Sequence, residues 1–359
     1  MPRRRSRGGD PLGLRARQRR HALVLWGLAV LLLLSALVAA GLGAVAVPPA
    51  TTAAVVGHQL LGWPVEPTWS VQEQAVVWDV RAPRVLLAAA VGAGLAVCGT
   101  ALQAMVRNVL ADPYVLGVNS GASLGAAAAI LLGALAGAGQ LALPAAAFAG
   151  ALGASVLVLV VARGSGVVTS LRLLLAGVGV GYALSAATSF LVFASGSAEG
   201  ARSVMFWLLG SLALAGWGLP LAVVLVVSAL TAAVLLLLGP RLDALAIGDE
   251  TAQALGVVPA VLRVQLVVLV SLCVGVLVAS SGSIGFVGLV VPHLARRLVG
   301  AAHRRLVPAS ALLGAVLLIW SDLAARTVLA PQELPIGIVT ALVGAPFLLH
   351  LVRRHHATT

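Results

Sequence analysis

Residues 82–105 read APRVLLAAAVGAGLAVCGTALQAM, an apolar run carrying a single charge, Arg84. At about 1.5 Å of rise per helical residue, such a run outreaches the ~30 Å hydrocarbon core of a bilayer. Comparable runs recur near 22–47, 113–135, 141–162, 171–195, 218–238, 261–281, 284–298, 307–330 and 335–352. Of the 359 residues, 60% are apolar and only 9% charged, and the mean hydropathy is +1.07. A soluble domain carries about 25% charged residues. The fold class is therefore all-α integral membrane, because helices satisfy their own backbone hydrogen bonds in lipid. Ten transmembrane helices are expected.

The arginines orient that bundle. Starting inside and alternating places 19 of the 23 on one side, leaving Arg81, Arg84, Arg202 and Arg326 outside. By the positive-inside rule both termini are then cytoplasmic. Residues 1–20, with eight arginines against Asp10, form a basic tail that touches anionic lipid, and residues 21–359 form one transmembrane domain. A nucleic-acid arm is the weaker reading of the tail. Ala44-Val45-Ala46 resembles a signal-peptide cleavage site, but the run 22–47 exceeds the roughly 7–15 residues of a signal core, so an uncleaved helix is the better reading. Residues 48–80 read as the one sizeable soluble connection, with Trp63, Trp69 and Trp78 suited to the membrane interface. A short apolar piece, 203–217, reads as a helix at the outer surface.

Composition also excludes chemistry. There is no lysine, so neither a Walker A loop nor a lysine Schiff base can form. Any ATP use belongs to a partner. Cys98 and Cys273 lie singly in apolar runs and imply neither a disulfide framework nor a metal site. The seven histidines form no metal-ligating cluster. No Asp, Glu or His falls at a helix centre, which disfavours an ion-coupled transporter. Asp322 and Arg326, one turn apart, are expected to pair. Gly121-Ala-Ser123-Leu-Gly125 matches a nucleophile elbow but lacks the strand and the partners that motif needs. Gly117, Gly121 and Gly125 read instead as a smooth helix-packing face.

Five ordered stretches carry a family resemblance. They are 81–125, 173–188 (LLLAGVGVGYALSAAT), 206–217 (FWLLGSLALAGW), 285–297 (GFVGLVVPHLARR) and 333–346 (ELPIGIVTALVGAP). Together they resemble the FecCD-type permeases that import iron–siderophore complexes, haem and vitamin B12 through ATP-binding-cassette machinery. The resemblance covers roughly 60–352. It implies a type II importer architecture with a two-subunit pore, in the bacterial cytoplasmic membrane. It further implies ABC ATPase partners that use ATP and Mg, an extracytoplasmic substrate-binding lipoprotein, and a second permease subunit. No cofactor, metal or nucleic acid is implied for this chain, and no catalysis. One departure is Val109, where the family has proline in Asn-Pro-Leu-Ala-Asp-Pro.

Site roles follow from the same resemblance. Arg81, Arg84 and Arg326 match positions that meet carboxylates of the binding protein, which suits the forked guanidinium. The inner segment 239–260 contains a short helix over 250–255, with Asp249 as its cap and Gly256 as its stop. Glu250-Thr251-Ala252…Gly256 looks like the loop that sits in an ATPase cleft, so Asp243, Gly248, Asp249, Glu250, Ala252 and Gly256 are expected to couple the two subunits. Asn108, Leu110, Thr169 and Ser170 are expected at the cytoplasmic gate. The cargo expected from the resemblance is an iron(III)–siderophore complex.

Overall fold

A computed structural model describes residues 14–356 apart from Ala44, Val65, Ser165 and Val167. Most of the basic tail lies outside the described residues. No strand occurs among the described residues. Ten helices overlie the ten apolar runs: α1 (Leu14–Gly41), α4 (Ala82–Val106), α5 (Val118–Leu132), α6 (Ala142–Arg163), α7 (Ser170–Ala194), α9 (Leu219–Leu237), α12 (Pro259–Ser281), α13 (Val287–Val299), α14 (His303–Thr327) and α15 (Ile336–His356). Seven helical stretches are long and apolar enough to cross a membrane; α5, α13 and the apolar part of α15 are shorter. Backbone geometry explains two of these. Gly117 and Gly133, both at positive φ, bound α5; Phe286 and Gly300, likewise at positive φ, bound α13.

The outer connection, 48–80, is largely helical. It folds as α2 (Pro49–Leu61) and α3 (Val71–Gln74), and α3 continues through a π-helical stretch, Ala75–Arg81, directly into α4. Ser70 and Glu73 form a reciprocal capping box at the start of α3. Val47, Val55 and Val77 give this region its own small core, against which Trp69 and Trp78 pack. The outer-surface helix also sits earlier than 203–217. It is α8 (Ala198–Leu208), capped by Ser197 and ended before Gly210, whose φ is +76°. On the opposite face lie α10 (Gly239–Ile247) and α11 (Asp249–Ala254).

The bundle is built around α4. Its apolar window is 83% buried, against 17% for α1 and 22% for α7. Small residues allow this. A methyl group on Gly92 would overlap the backbone of Gly314 on α14, and one on Gly99 would overlap Gly288 on α13. In lipid, where apolar burial does not distinguish a helix neighbour from an acyl chain, such close approach is what holds helices together. Thr100 adds a polar link, donating to Ser310 Oγ of α14 at 3.2 Å. The same device joins α5 to α6: a methyl on Gly121 would meet Gly150, and one on Gly125 would meet Ala146. Gly117 differs from these two; its φ of +72° places it at the turn before α5.

Candidate functional site

Two clusters of charge sit at opposite ends of α4. At the outer end Arg84 reaches both Asp322 and Glu333. Its Nε donates to Asp322 Oδ1 at 2.9 Å, and its two terminal nitrogens meet the Glu333 carboxylate at 3.0 and 2.9 Å. The second Asp322 oxygen lies 3.0 Å from Arg326 Nε, the i,i+4 pair expected from sequence. Arg326 also donates to the carbonyls of Ala39 and Leu42, and Arg81 to those of Ala40, Gly41 and Val45. These are orphan acceptors at and beyond the C-terminus of α1, where cations are favoured.

Arg81, Arg84 and Arg326, the residues expected to dock the binding protein, are thus engaged within the chain. All three are buried, at 5%, 7% and 7% exposure, and their donors are engaged within the chain. Asp322, at 1% exposure, is held between two of them. A buried cation without partners is costly, so residues this enclosed take internal partners first. Glu333, by contrast, leaves 45% of its side chain exposed above Arg84. Of the four outer arginines only Arg202 is exposed.

At the other end lie α10 and α11. Asp249 does not cap α11 with its side chain; Gly248 occupies the N-cap. The carboxylate instead accepts from Arg263 Nη2 of α12 at 2.6 Å and lies 3.9 Å from Arg107 Nη1 at the end of α4. Its acidity is raised accordingly: the Arg263 hydrogen bond holds the carboxyl below its usual range. Asp243 faces inward as well, with His303 N and Nδ1 at 3.0 and 2.6 Å from its Oδ1. Ala252 is fully buried, and Gly256 ends the segment at φ +77°. Glu250 is exposed, together with Ile247, Leu255 and Val258. An acidic residue and three apolar side chains are thus exposed along this segment.

The loops expected at the gate meet beside this cluster. Asn108 Oδ1 accepts from Leu110 N at 2.9 Å, making a local turn without a proline at 109. Thr169 caps α7, and Ser170 Oγ donates to Met105 O at 2.9 Å, tying α7 to the end of α4. Asp112 caps the following turn through Tyr114 N; burial lifts its carboxyl to about 6. Sequence reading passed over Gln103, whose Nε2 donates to Ala111, Gly288 and Leu289 carbonyls. It also missed Arg263, His303 and Glu333. Arg263 had a signal: a lone charge within the run 259–281 requires a partner. Ser123 Oγ donates to Asn119 O at 2.8 Å, a helix back-bond rather than a catalytic contact. Cys98 on α4 and Cys273 on α12, far apart in sequence, are buried free thiols that lie near each other.

Comparison with known proteins adds the following. The model of the FecCD transport family matches residues 15–354. The vitamin B12 import system permease protein of Vibrio cholerae is 43% identical over 80% of this chain and 86% of its own length. The hemin transport system permease protein of Yersinia pestis is 39% identical over the same two shares, 80% and 86%. A solved structure, described as an inward-facing conformation of a metal-chelate type ABC transporter, superposes with a TM-score of 0.81 at 36% identity, covering 93% of this chain and 99% of that one.

Proposed function

Since the chain belongs to the FecCD transport family and is an ATP-binding-cassette importer permease of the cytoplasmic membrane, we propose that it carries an iron(III)–siderophore complex inward by alternating access. The observation that supports this most is the superposition along nearly the whole chain with a metal-chelate type transporter. An Fe(3+)-citrate import system permease protein of Bacillus subtilis, 37% identical over 79% of this chain, supports the same cargo class. A second reading, vitamin B12 or haem as cargo, is favoured by the Vibrio and Yersinia relatives.

The proposed machine contains two permease subunits, ABC ATPase subunits and an extracytoplasmic binding lipoprotein. ATP and Mg act in the ATPase, and this chain performs no covalent step. A loaded binding protein docks on the outer face. There Arg81, Arg84 and Arg326 hold α1, α4 and α14 in register, and Arg84 becomes reachable only if Glu333 is displaced. On the inner face the exposed Glu250, with Ile247, Leu255 and Val258 of the same segment, seats in the ATPase. Closure of the ATPase moves α11 and opens the loops at Asn108–Leu110 and Thr169–Ser170. The pathway follows α7 and α8; on α7 the exposed Tyr182, Phe190 and Phe193 accompany a few hydroxyls such as Ser185 and Ser189. So few polar groups suit a conduit that leaves specificity to the binding protein.

The test is ATPase activity of the co-purified complex in lipid. Wild type should be stimulated by binding protein loaded with ferric siderophore, and Glu250→Arg should lose the ATPase. Stimulation by cobalamin or haem, and none by siderophore, would replace the cargo assignment. If no ATPase associates with wild type, the importer mechanism fails and transport driven by an ion gradient takes its place.

A further inference from the structure

The α10–α11 segment hangs from the bundle on acid–base contacts to three helices. Asp249 is shared between Arg263 on α12 and Arg107 at the end of α4, and Asp243 is held by His303 at the start of α14. The three anchors differ in burial. Arg107 is almost half exposed, whereas Arg263, at 2% exposure, is the largest fully buried side chain described. Its Nε has no partner, and its one ion-pair partner is Asp249. A fully buried guanidinium is costly to keep unless it holds something in place.

What it holds is a helix that cannot hold itself. α11 has six residues and no side-chain N-cap, far short of the ~12–15 that make an isolated helix even marginal. It begins after an extended residue, Gly248, and the chain turns just beyond it at Gly256, whose φ is +77°. Without a tether such a segment would absorb a push by flexing at its ends. With the tether, Asp249 to Arg263 closes a loop that includes all of α11 and the first turn of α12.

We propose that Arg263 is the positioning residue of the coupling helix, tying α11 through Asp249 to α12 so that displacement by the ATPase is delivered to the bundle rather than lost in the loop. This rests on the reading that α11 seats in the ATPase. Arg263 itself does not touch the ATPase. The exposed face of α11 is unchanged by its removal, so assembly and hydrolysis persist while transport per ATP falls.

The experiment measures ATP hydrolysed and cargo transported by the full complex in proteoliposomes. Arg263→Gln should retain the ATPase and its hydrolysis but lower cargo per ATP by about fivefold, within the range that coupling residues control. Arg263→Lys, which keeps the charge, should recover much of that ratio. A spin label at exposed Ala254, in a chain with Cys98 and Cys273 replaced by alanine, gives an independent readout. Its spectrum should sharpen with Arg263→Gln and not with Arg107→Gln, whose contact is longer and more exposed. An unchanged ratio together with an unchanged spectrum overturns the proposal. If wild type recruits no ATPase, the coupling reading fails, and the label alone still reports whether Arg263 fixes α11. If Arg263→Gln does not fold, the mobility of the Ala254 label in Asp249→Asn and in Arg263→Lys decides the matter.

Discussion

At the scale of single residues, burial decides what a charge does. Asp322 stands between Arg84 and Arg326, and removing its charge leaves two enclosed cations facing each other. Asp322→Asn is almost isosteric, yet it should destabilise the protein by about 3–5 kcal/mol, the usual loss when a buried pair is broken. Thermal unfolding in detergent checks this; a shift no larger than that of Arg202→Gln, at an exposed arginine, would contradict it. Asp112 makes a pH prediction. Its carboxyl is raised to about 6 by burial, so the folded state holds that proton more tightly than the unfolded chain does. Its contribution to stability is complete below about pH 4 and is lost as pH rises through 6. Asp112→Asn should remove that stretch of the stability–pH curve. An identical slope between pH 4 and 7 in both proteins would show that the carboxyl titrates elsewhere.

At the scale of elements, contact between backbones replaces hydrophobic driving force. Gly92 of α4 faces Gly314 of α14 with no room for a side chain, whereas nothing lies near a methyl group on Gly153 of α6. Gly92→Leu should abolish a monodisperse peak in size-exclusion chromatography, while Gly153→Leu should leave it intact. The two cysteines report on the α4–α12 contact directly. A membrane-permeant oxidant should join Cys98 to Cys273 within one chain, read as a linked peptide pair by mass spectrometry. Persistence of both free thiols would place the two helices differently. Hydropathy located α4, α7, α12 and α14 to within a few residues, because each is a continuous apolar run. It missed α2 and α3, since their amphipathic sequence earns its helical state from a local core of Val47, Val55 and Val77. It displaced α8 because apolar residues continue past Gly210, where the backbone turns.

At the scale of the whole molecule, the uneven burial of helices carries the information. α4 is enclosed on all sides, while α1, α7 and α9 show most of their surface. Lipid can cover α1, whose exposed large apolar side chains are leucines, valines and Trp26. The mixed face of α7 fits a second permease subunit across the pathway. A cysteine at Phe193, in the chain lacking its own two, should cross-link between subunits in the assembled complex; a complex that contains one permease copy and gives no cross-link to any second subunit would remove this arrangement.

The amino-acid sequence alone determined that this is a helical membrane protein, where its apolar helices lie, which end of each carries arginine, and to which family it belongs. Those properties are local and additive: a run of apolar residues in lipid has few alternatives to helix. The tertiary structure alone decided which charges are available. Arg84 and Asp322 lie 238 residues apart, and nothing in either neighbourhood announces the pair. The same is true of Asp243 with His303, and of Cys98 with Cys273. A polar side chain acts on its surroundings over a few ångströms, and only the folded chain determines what stands within that distance.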